Sequence, residues 1–435
     1  MDASIYSRRR ARLAAQMQRG VAVIPTAPER PRNRDAHYPY RFDSYFYYLT
    51  GFTEPDAVLV LVAGDTPQSI LFCRAKDEER EIWDGFRHGP AAAHETFGLD
   101  DAHAIATLDE RMADLLSDQP AMHVHLGSDA AWDARVVGWL NSVRARTRAG
   151  VVAPPTISDV HVLLDEMRLF KDDAEVALMR RAAEISCAAH RRAMQTARPG
   201  VGEFTVEAEL LHEFRRNGSQ APAYTSIVAS GAHACVLHYV ENSGVLRDGE
   251  LLLIDAGCEL DGYASDITRT FPVSGTFSGP QRAVYALVLA AQAAAIAAVK
   301  PGNPWIAPHD AAVRVLAQGF VDLKLLPGSL EEVLETESYR KYYMHRTGHW
   351  LGLDVHDAGD YKRDGEWRDL EPGMVLTVEP GCYIRPAPGV PPQFAGIGIR
   401  IEDDALVTAE GCEILTAAAP KSIADIEGLM RPGDD

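Results

Sequence analysis

One segment constrains this chain more than any other: the run Leu251-Leu252-Leu253-Ile254-Asp255-Ala256-Gly257-Cys258, then Glu259-Leu260-Asp261-Gly262, then Tyr263 to Phe271 with Asp266 inside it. Asp-Gly between two β-rich runs is a hairpin signature, because the tightest turns need positive φ at their central residues. With Leu260-Asp261 as the loop, Asp255 and Asp266 face each other directly. With Asp261-Gly262 as the loop, Asp266 faces Gly257, which shares a face with Asp255 because strand side chains alternate with period two. Either register puts both carboxylates on one face. Like charges so opposed destabilise a strand pair, and burial raises a carboxyl pKa unless a cation lies between them. On this segment alone, an Asp266 simply exposed at a strand end accounts for the pattern equally well.

Two further strands shift that balance towards a metal. Met374 to Glu379 is an apolar run ending in Glu379 before Pro380-Gly381, and Ile397 to Glu402 alternates isoleucine with Gly398, Arg400 and Glu402. The segment from His345 to Asp357 adds His345, His349 and His356. The spacing of the first two resembles the HExxH zinc helix, but Arg346 stands where that motif has Glu, and Gly348 is a poor helix-interior residue. Four carboxylates and one neutral imidazole carry four negative charges, which two divalent cations balance. An oxygen-rich set suits manganese, magnesium or cobalt better than a lone tetrahedral zinc. Two such ions sharing a water lower its pKa, so the implied chemistry is metal-assisted hydrolysis.

Composition narrows the partners. Forty-three basic against 62 acidic residues give a net charge of −19, which repels phosphate backbones and anionic lipid. No nucleic acid and no membrane surface is expected as a partner. Six cysteines lie scattered without a CxxC pair, the usage of reduced thiols in a cytoplasmic protein. Arg8-Arg9-Arg10 is followed by stretches broken at Gln16, Arg19 and Pro25, so no signal-peptide core follows. No segment is expected to reach the roughly 18 apolar residues of a membrane span.

A length of 435 residues allows two or three domains. In the first part, Val21 to Ile24, Ala57 to Val62, Ser69 to Cys73 and Met122 to Leu126 read as strands, and Arg8 to Gln18 and Asp109 to Leu116 as helices, the rhythm of a small α/β domain. A helix from Asp172 to Thr196 has acids in its first turn. It opens a region of helices beside hairpin-joined strands, which suggests α+β architecture with antiparallel sheets. The boundary is placed near Lys171, giving domains 1–170 and 171–435.

In this order and local context, Asp255, Asp266, His349, Glu379 and Glu402 resemble the five metal ligands of the pita-bread metallopeptidases. The segment from His345 to Asp357 is similar to the signature of aminopeptidase P and proline dipeptidase, with Arg346 where Gly is commoner. Arg168-Leu169-Phe170-Lys171, His37-Tyr38-Pro39-Tyr40-Arg41, Leu49-Thr50-Gly51-Phe52 and Glu54-Pro55 resemble the N-terminal half of aminopeptidase P. The resemblance implies a C-terminal pita-bread domain behind a smaller α/β domain, and two divalent ions, manganese foremost. It also implies cleavage of the residue preceding a proline at a peptide's N-terminus. Within it, Cys235-Val236-Leu237-His238-Tyr239 resembles the substrate-histidine segment. His238 and His356 would then bind substrate and stabilise charge on the scissile carbonyl oxygen, and Glu379 would be both ligand and proton shuttle. His345 and Arg400 would support the substrate site from behind. Trp83, in Glu81-Ile82-Trp83-Asp84-Gly85, would wall a neighbouring subunit's pocket in a dimer or tetramer; a plain core tryptophan is the other reading. Two alternatives stay open: a proline dipeptidase restricted to dipeptides, and a non-catalytic scaffold on the same fold.

Overall fold

The apolar runs of the N-terminal region pair into one mixed sheet. Its strands lie in the order Asp101–Ala104, Gln68–Cys73, Val58–Ala63, Gly20–Pro25, Ala121–His123 and Thr156–Ser158. Gly20–Pro25 runs antiparallel to Val58–Ala63 and parallel to Ala121–His123. One sheet face, with Val21, Val23, Val60 and Phe72, packs on Leu108 and Met112 of one helix and Val136, Trp139 and Leu140 of another. The first helix begins at Ala3, earlier than its apolar period suggests, because Asp2 caps it by accepting from the Ser4 amide at 2.7 Å. The strand expected to run to Leu126 ends at His123.

The structure, a computed structural model, describes residues 2–431. The chain divides into two compact units with the break between Arg168 and Leu169, just ahead of the boundary placed near Lys171.

The second unit opens with the helix Asp173–Thr196. Asp172 caps it in a reciprocal box with Glu175, so the acids seen in the sequence terminate the helix as well as favour its dipole. All named strands of this unit pair antiparallel: Ile227–Ser230, Leu251–Asp255 and Thr268–Pro272 in one sheet; Val375–Val378, Asp403–Val407 and Cys412–Ile414 in a second; Gly381–Ile384 with Ile397–Arg400 in a third. Their apolar faces share a core with Val284, Tyr285, Val288, Ala291 and Ala295 of the helix Gly279–Ala298. That helix corrects one expectation: by length and composition it could cross a membrane, and only its buried face reveals a core helix.

The hairpin resolves the choice of register. Leu260 pairs with Tyr263 and Asp255 with Thr268, so Asp261-Gly262 is the loop, with φ of 49° and 84°. The Leu260-Asp261 register is therefore corrected: Asp255 and Asp266 are not direct partners. They meet because Gly257 lets the second strand close in, since a Cβ there would lie 1.6 Å from the Ser265 carbonyl oxygen.

Candidate active site

Asp255 ends the strand Leu251–Asp255, Asp266 sits just before Thr268–Pro272, Glu379 just after Val375–Val378, and Glu402 just after Ile397–Arg400. Each carboxylate thus leaves a strand where the ladder stops and the side chain can turn inward. All four line one cavity of about 640 Å³ together with His238, His345, His349, His356 and Arg400. Trp83 is in the other unit, 83% exposed on the helix Glu78–Asp84, which buries none of its residues. It is no core tryptophan.

The electrostatics of the carboxylates fit a pair of cations. Burial, reinforced by Asp266, raises the Asp255 carboxyl despite the Arg400 guanidinium. Burial and the charges of Asp266 and Glu379 push Glu402 far above the usual range. Burial likewise lifts Glu379 to about 7, although His349 and Arg400 oppose it. For His349 burial works downward, but Asp266 outweighs it and lifts the imidazole to about 9. For Asp266 burial works upward, but the bond to His349 outweighs it and holds the carboxyl below its ordinary value; the other three acids and His349 are all pushed towards holding protons, which offsets the negative charge gathered there. Two divalent ions would supply that charge instead.

The donor set agrees. His349 Nδ1 donates to the Trp350 carbonyl at 2.9 Å, which turns Nε2 towards Asp266 Oδ2, 3.5 Å away, the arrangement of an imidazole ready to ligate through Nε2. Asp266, His349 and Glu402 offer ligand atoms within 4.8 Å of one another. Thr268 Oγ1 donates to Glu402 at 2.7 Å, and Arg400 Nη2 to Asp255 at 2.5 Å.

A second group, His125, Asp159 and His161, also has ligand-type atoms close together. The two imidazoles stack face to face, centroids 4.0 Å apart and 13° from parallel. Their in-plane lone pairs do not converge, and metal coordination at roughly 2.0–2.1 Å from both is not served by this arrangement.

Around the carboxylates lies a directed chain of hydrogen bonds. Arg400 Nη1 donates to Tyr383 Oη at 3.0 Å, Tyr383 Oη lies 2.8 Å from His345 Nε2, and His345 Nδ1 donates to the Arg346 carbonyl at 2.7 Å. Burial and then Arg400 lower His345 to about 3, so the ring is neutral and its Nε2 accepts a hydrogen bond from the Tyr383 hydroxyl. Both its nitrogens are engaged within the protein. His356 is different: its ring lies 4.1 Å from that of His349, and burial and then His349 lower its pKa. His238 is exposed at the cavity and makes no hydrogen bond among the described residues.

Sequence reasoning missed Tyr224. Its hydroxyl is 2.6 Å from Asp255 and 2.5 Å from Asp266, and a phenol has one proton for the two oxygens. Nothing in Ala221-Pro222-Ala223-Tyr224 announces such a role. Tyr383 and Thr268 were missed for the same reason: hydroxyls carry no spacing signature.

The metallopeptidase family M24 model matches residues 177–409, and that of the aminopeptidase P N-terminal domain residues 6–125. The chain is 46% identical over 428 residues to the Xaa-Pro aminopeptidase of Escherichia coli, covering 98% of this chain and 97% of that protein. The chain belongs to metallopeptidase family M24, in its aminopeptidase P branch. This M24 chain is likewise 45% identical over 427 residues to the Xaa-Pro aminopeptidase of Haemophilus influenzae, with 98% and 96% covered. Its fold superposes on the aminopeptidase PepP of Pseudomonas aeruginosa with a TM-score of 0.97 at 49% identity, over 99% of this chain and 98% of that one. A variant of Escherichia coli aminopeptidase P in complex with substrate superposes with a TM-score of 0.96 at 45% identity, over 99% and 98%. Family membership implies divalent metal ions and a hydrolytic aminopeptidase.

Proposed function

We propose that this enzyme releases the first residue from peptides whose second residue is proline, using two divalent ions, manganese foremost, held by Asp255, Asp266, His349, Glu379 and Glu402. The observation that carries the reading is the convergence of these five side chains with His238 and His356 in one cavity. Bound there, the ions supply Lewis acidity and an activated water. The chain's own residues do the rest. His238 and His356 donate to the carbonyl oxygen on which negative charge develops, a task suited to imidazole near neutral pH. Glu379 passes a proton from the attacking water to the leaving proline nitrogen. Arg400, Tyr383 and His345 hold one wall of the cavity in a fixed orientation, with Arg400 and His345 flanking the substrate from behind.

Full-length similarity to Xaa-Pro aminopeptidases favours acceptance of peptides that continue beyond the proline over the dipeptidase reading. The enzyme acts in the cytoplasm, where its six free cysteines stay reduced, and it works as a homo-oligomer in which Trp83 meets a neighbouring copy. The test is to load the protein with manganese, measure bound metal, and offer an Xaa-Pro dipeptide beside a longer Xaa-Pro-Xaa peptide. Two ions per chain and cleavage of the longer peptide are expected. Exclusive dipeptide cleavage makes it a proline dipeptidase, and metal without cleavage of either makes it a scaffold.

A further inference from the structure

His238 has no hydrogen bond of its own among the described residues, yet the loop that carries it is tied down at one point. Glu203, the first residue of the helix Glu203–Arg216, is wholly buried. Its Oε1 accepts from the Ser230 amide at 2.8 Å, from Ser230 Oγ at 2.6 Å and from His233 Nδ1 at 3.0 Å. Its Oε2 accepts from Tyr239 Oη at 2.8 Å and from the Gly244 amide at 2.7 Å.

Every one of these donors belongs to the segment 230–244, and they bracket His238 on both sides. His233 and Tyr239 also stack on each other, centroids 4.4 Å apart. Gly244 can approach only because it lacks a Cβ, which would sit 2.8 Å from Oε1. Burial acts to raise the Glu203 carboxyl, but the donors of Ser230, His233 and Gly244 outweigh it and hold the group below its ordinary value. It is therefore an anion, and charge-assisted bonds of this kind are about twice as strong as neutral ones. Two lesser ties complete the loop: Asn242 bonds Val228 and Ser226, and Arg385 donates twice to the Cys235 carbonyl.

We infer that Glu203 is a positioning residue for the reaction: its buried carboxylate gathers the loop 230–244 and so fixes where His238 stands against the substrate carbonyl. The inference rests on the proposed role of His238. As a lone acid in a helix's first turn, Glu203 reads from sequence as an ordinary dipole partner. Its burial and five donors set it apart.

A double-mutant cycle on the manganese-loaded full chain tests it. Glu203→Gln is expected to lower kcat about 10²-fold, the cost of displacing a catalytic group by about 1 Å. Bound metal should stay at the wild-type level, and the same change made in His238→Ala should lower kcat no further. Tyr239→Phe, which removes a single donor, should show the same pattern at about a tenth of the size in kcat and keeps the test alive if Glu203→Gln does not fold. A full additional loss in the His238→Ala background, or loss of metal with Glu203→Gln, overturns the positioning role. Wild-type turnover in His238→Ala instead overturns the reading of His238, a separate outcome of the same cycle.

Discussion

Two neighbouring histidines of the cavity, His349 and His356, divide the work by what each nitrogen faces. His349 turns Nε2 to Asp266 with its other nitrogen bound to a carbonyl, whereas the His356 ring lies tilted beside it, 4.1 Å away, with no carboxylate bonded to it among the described residues. His349→Ala is expected to lose metal along with turnover. His356→Ala should keep both ions and lose about 10² to 10³ in kcat, the cost of one donor aimed at a developing oxyanion. Turnover and metal content measured on the same preparations decide it; equal metal loss in the two variants would show the roles wrongly assigned. The four carboxylates that line the cavity stood out in the sequence because charged residues inside apolar runs are conspicuous, whereas His238, His345 and Arg400 were singled out only through the resemblance to a family. Tyr224, Tyr383 and Glu203 were not, because each acts through partners far away along the chain. His190 belongs with them: it is fully buried, donates from Nε2 to the Ala256 carbonyl at 2.9 Å, and is lowered by burial to about 4. Its folded pKa lies below the unfolded value, so the unfolded chain binds the extra proton between about pH 6.5 and pH 4, and stability falls as pH drops through that window. Moving from pH 7.5 to 5 should cost about 2 kcal/mol through this residue. Urea denaturation at both pH values should show the drop shrinking by that amount in His190→Gln, and an unchanged difference would remove His190 from the acid response.

Among the elements, the hairpin from Leu251 to Pro272 decides whether the two aspartates share a site. Its Asp-Gly turn was legible as a turn, but the sequence left two registers open because both satisfied the alternation of side chains. What settles the matter is Asp261 and Gly262 together occupying the positive-φ positions. The strand that follows then crosses Gly257 so closely that no side chain fits. Gly257→Ala must push Ser265 and Asp266 away from Asp255, so bound metal should fall below two per chain and kcat/KM by at least about 10²-fold. Gly262→Ala serves as the control: at φ of 84° it strains the turn by about 1–2 kcal/mol yet leaves the aspartates together. Metal analysis beside thermal melting separates the two. Full metal occupancy in Gly257→Ala would mean that the close crossing does not govern the site. The strand Ile397–Arg400 read from sequence as isoleucine on one face with Gly398 and Arg400 on the other, and the alternation alone did not say what covers the second face. In fact all four residues are buried, because a Cβ on Gly398 would lie 2.3 Å from the Ala234 carbonyl oxygen of the histidine loop.

For the whole molecule, the fold class was legible from the change of rhythm near residue 170. Whether copies assemble was not, since an oligomer interface has no period of its own. The N-terminal unit leaves one conspicuous apolar group on its surface: Ile82, Trp83 and Phe86 are 81%, 83% and 66% exposed on or just beyond the helix Glu78–Asp84. Single exposed apolar residues are ordinary, but three large ones close together are the kind of patch that marks an interaction surface. Tryptophan is also among the residues that dominate binding energy once desolvated. At about 25 cal/mol per Å², and with an aromatic side chain burying some 150–250 Å², covering this patch contributes several kcal/mol to association. Homo-oligomers form by repeating one interface, so every copy gains the same amount. The protein is therefore expected to sediment as a dimer or tetramer of 47.6 kDa chains at micromolar concentration. Ile82→Glu combined with Trp83→Glu should shift it towards the monomer without changing its bound metal. Sedimentation velocity on both proteins gives the answer. A wild-type chain that runs as a monomer ends the oligomer reading, and a variant that stays assembled places the interface away from Trp83.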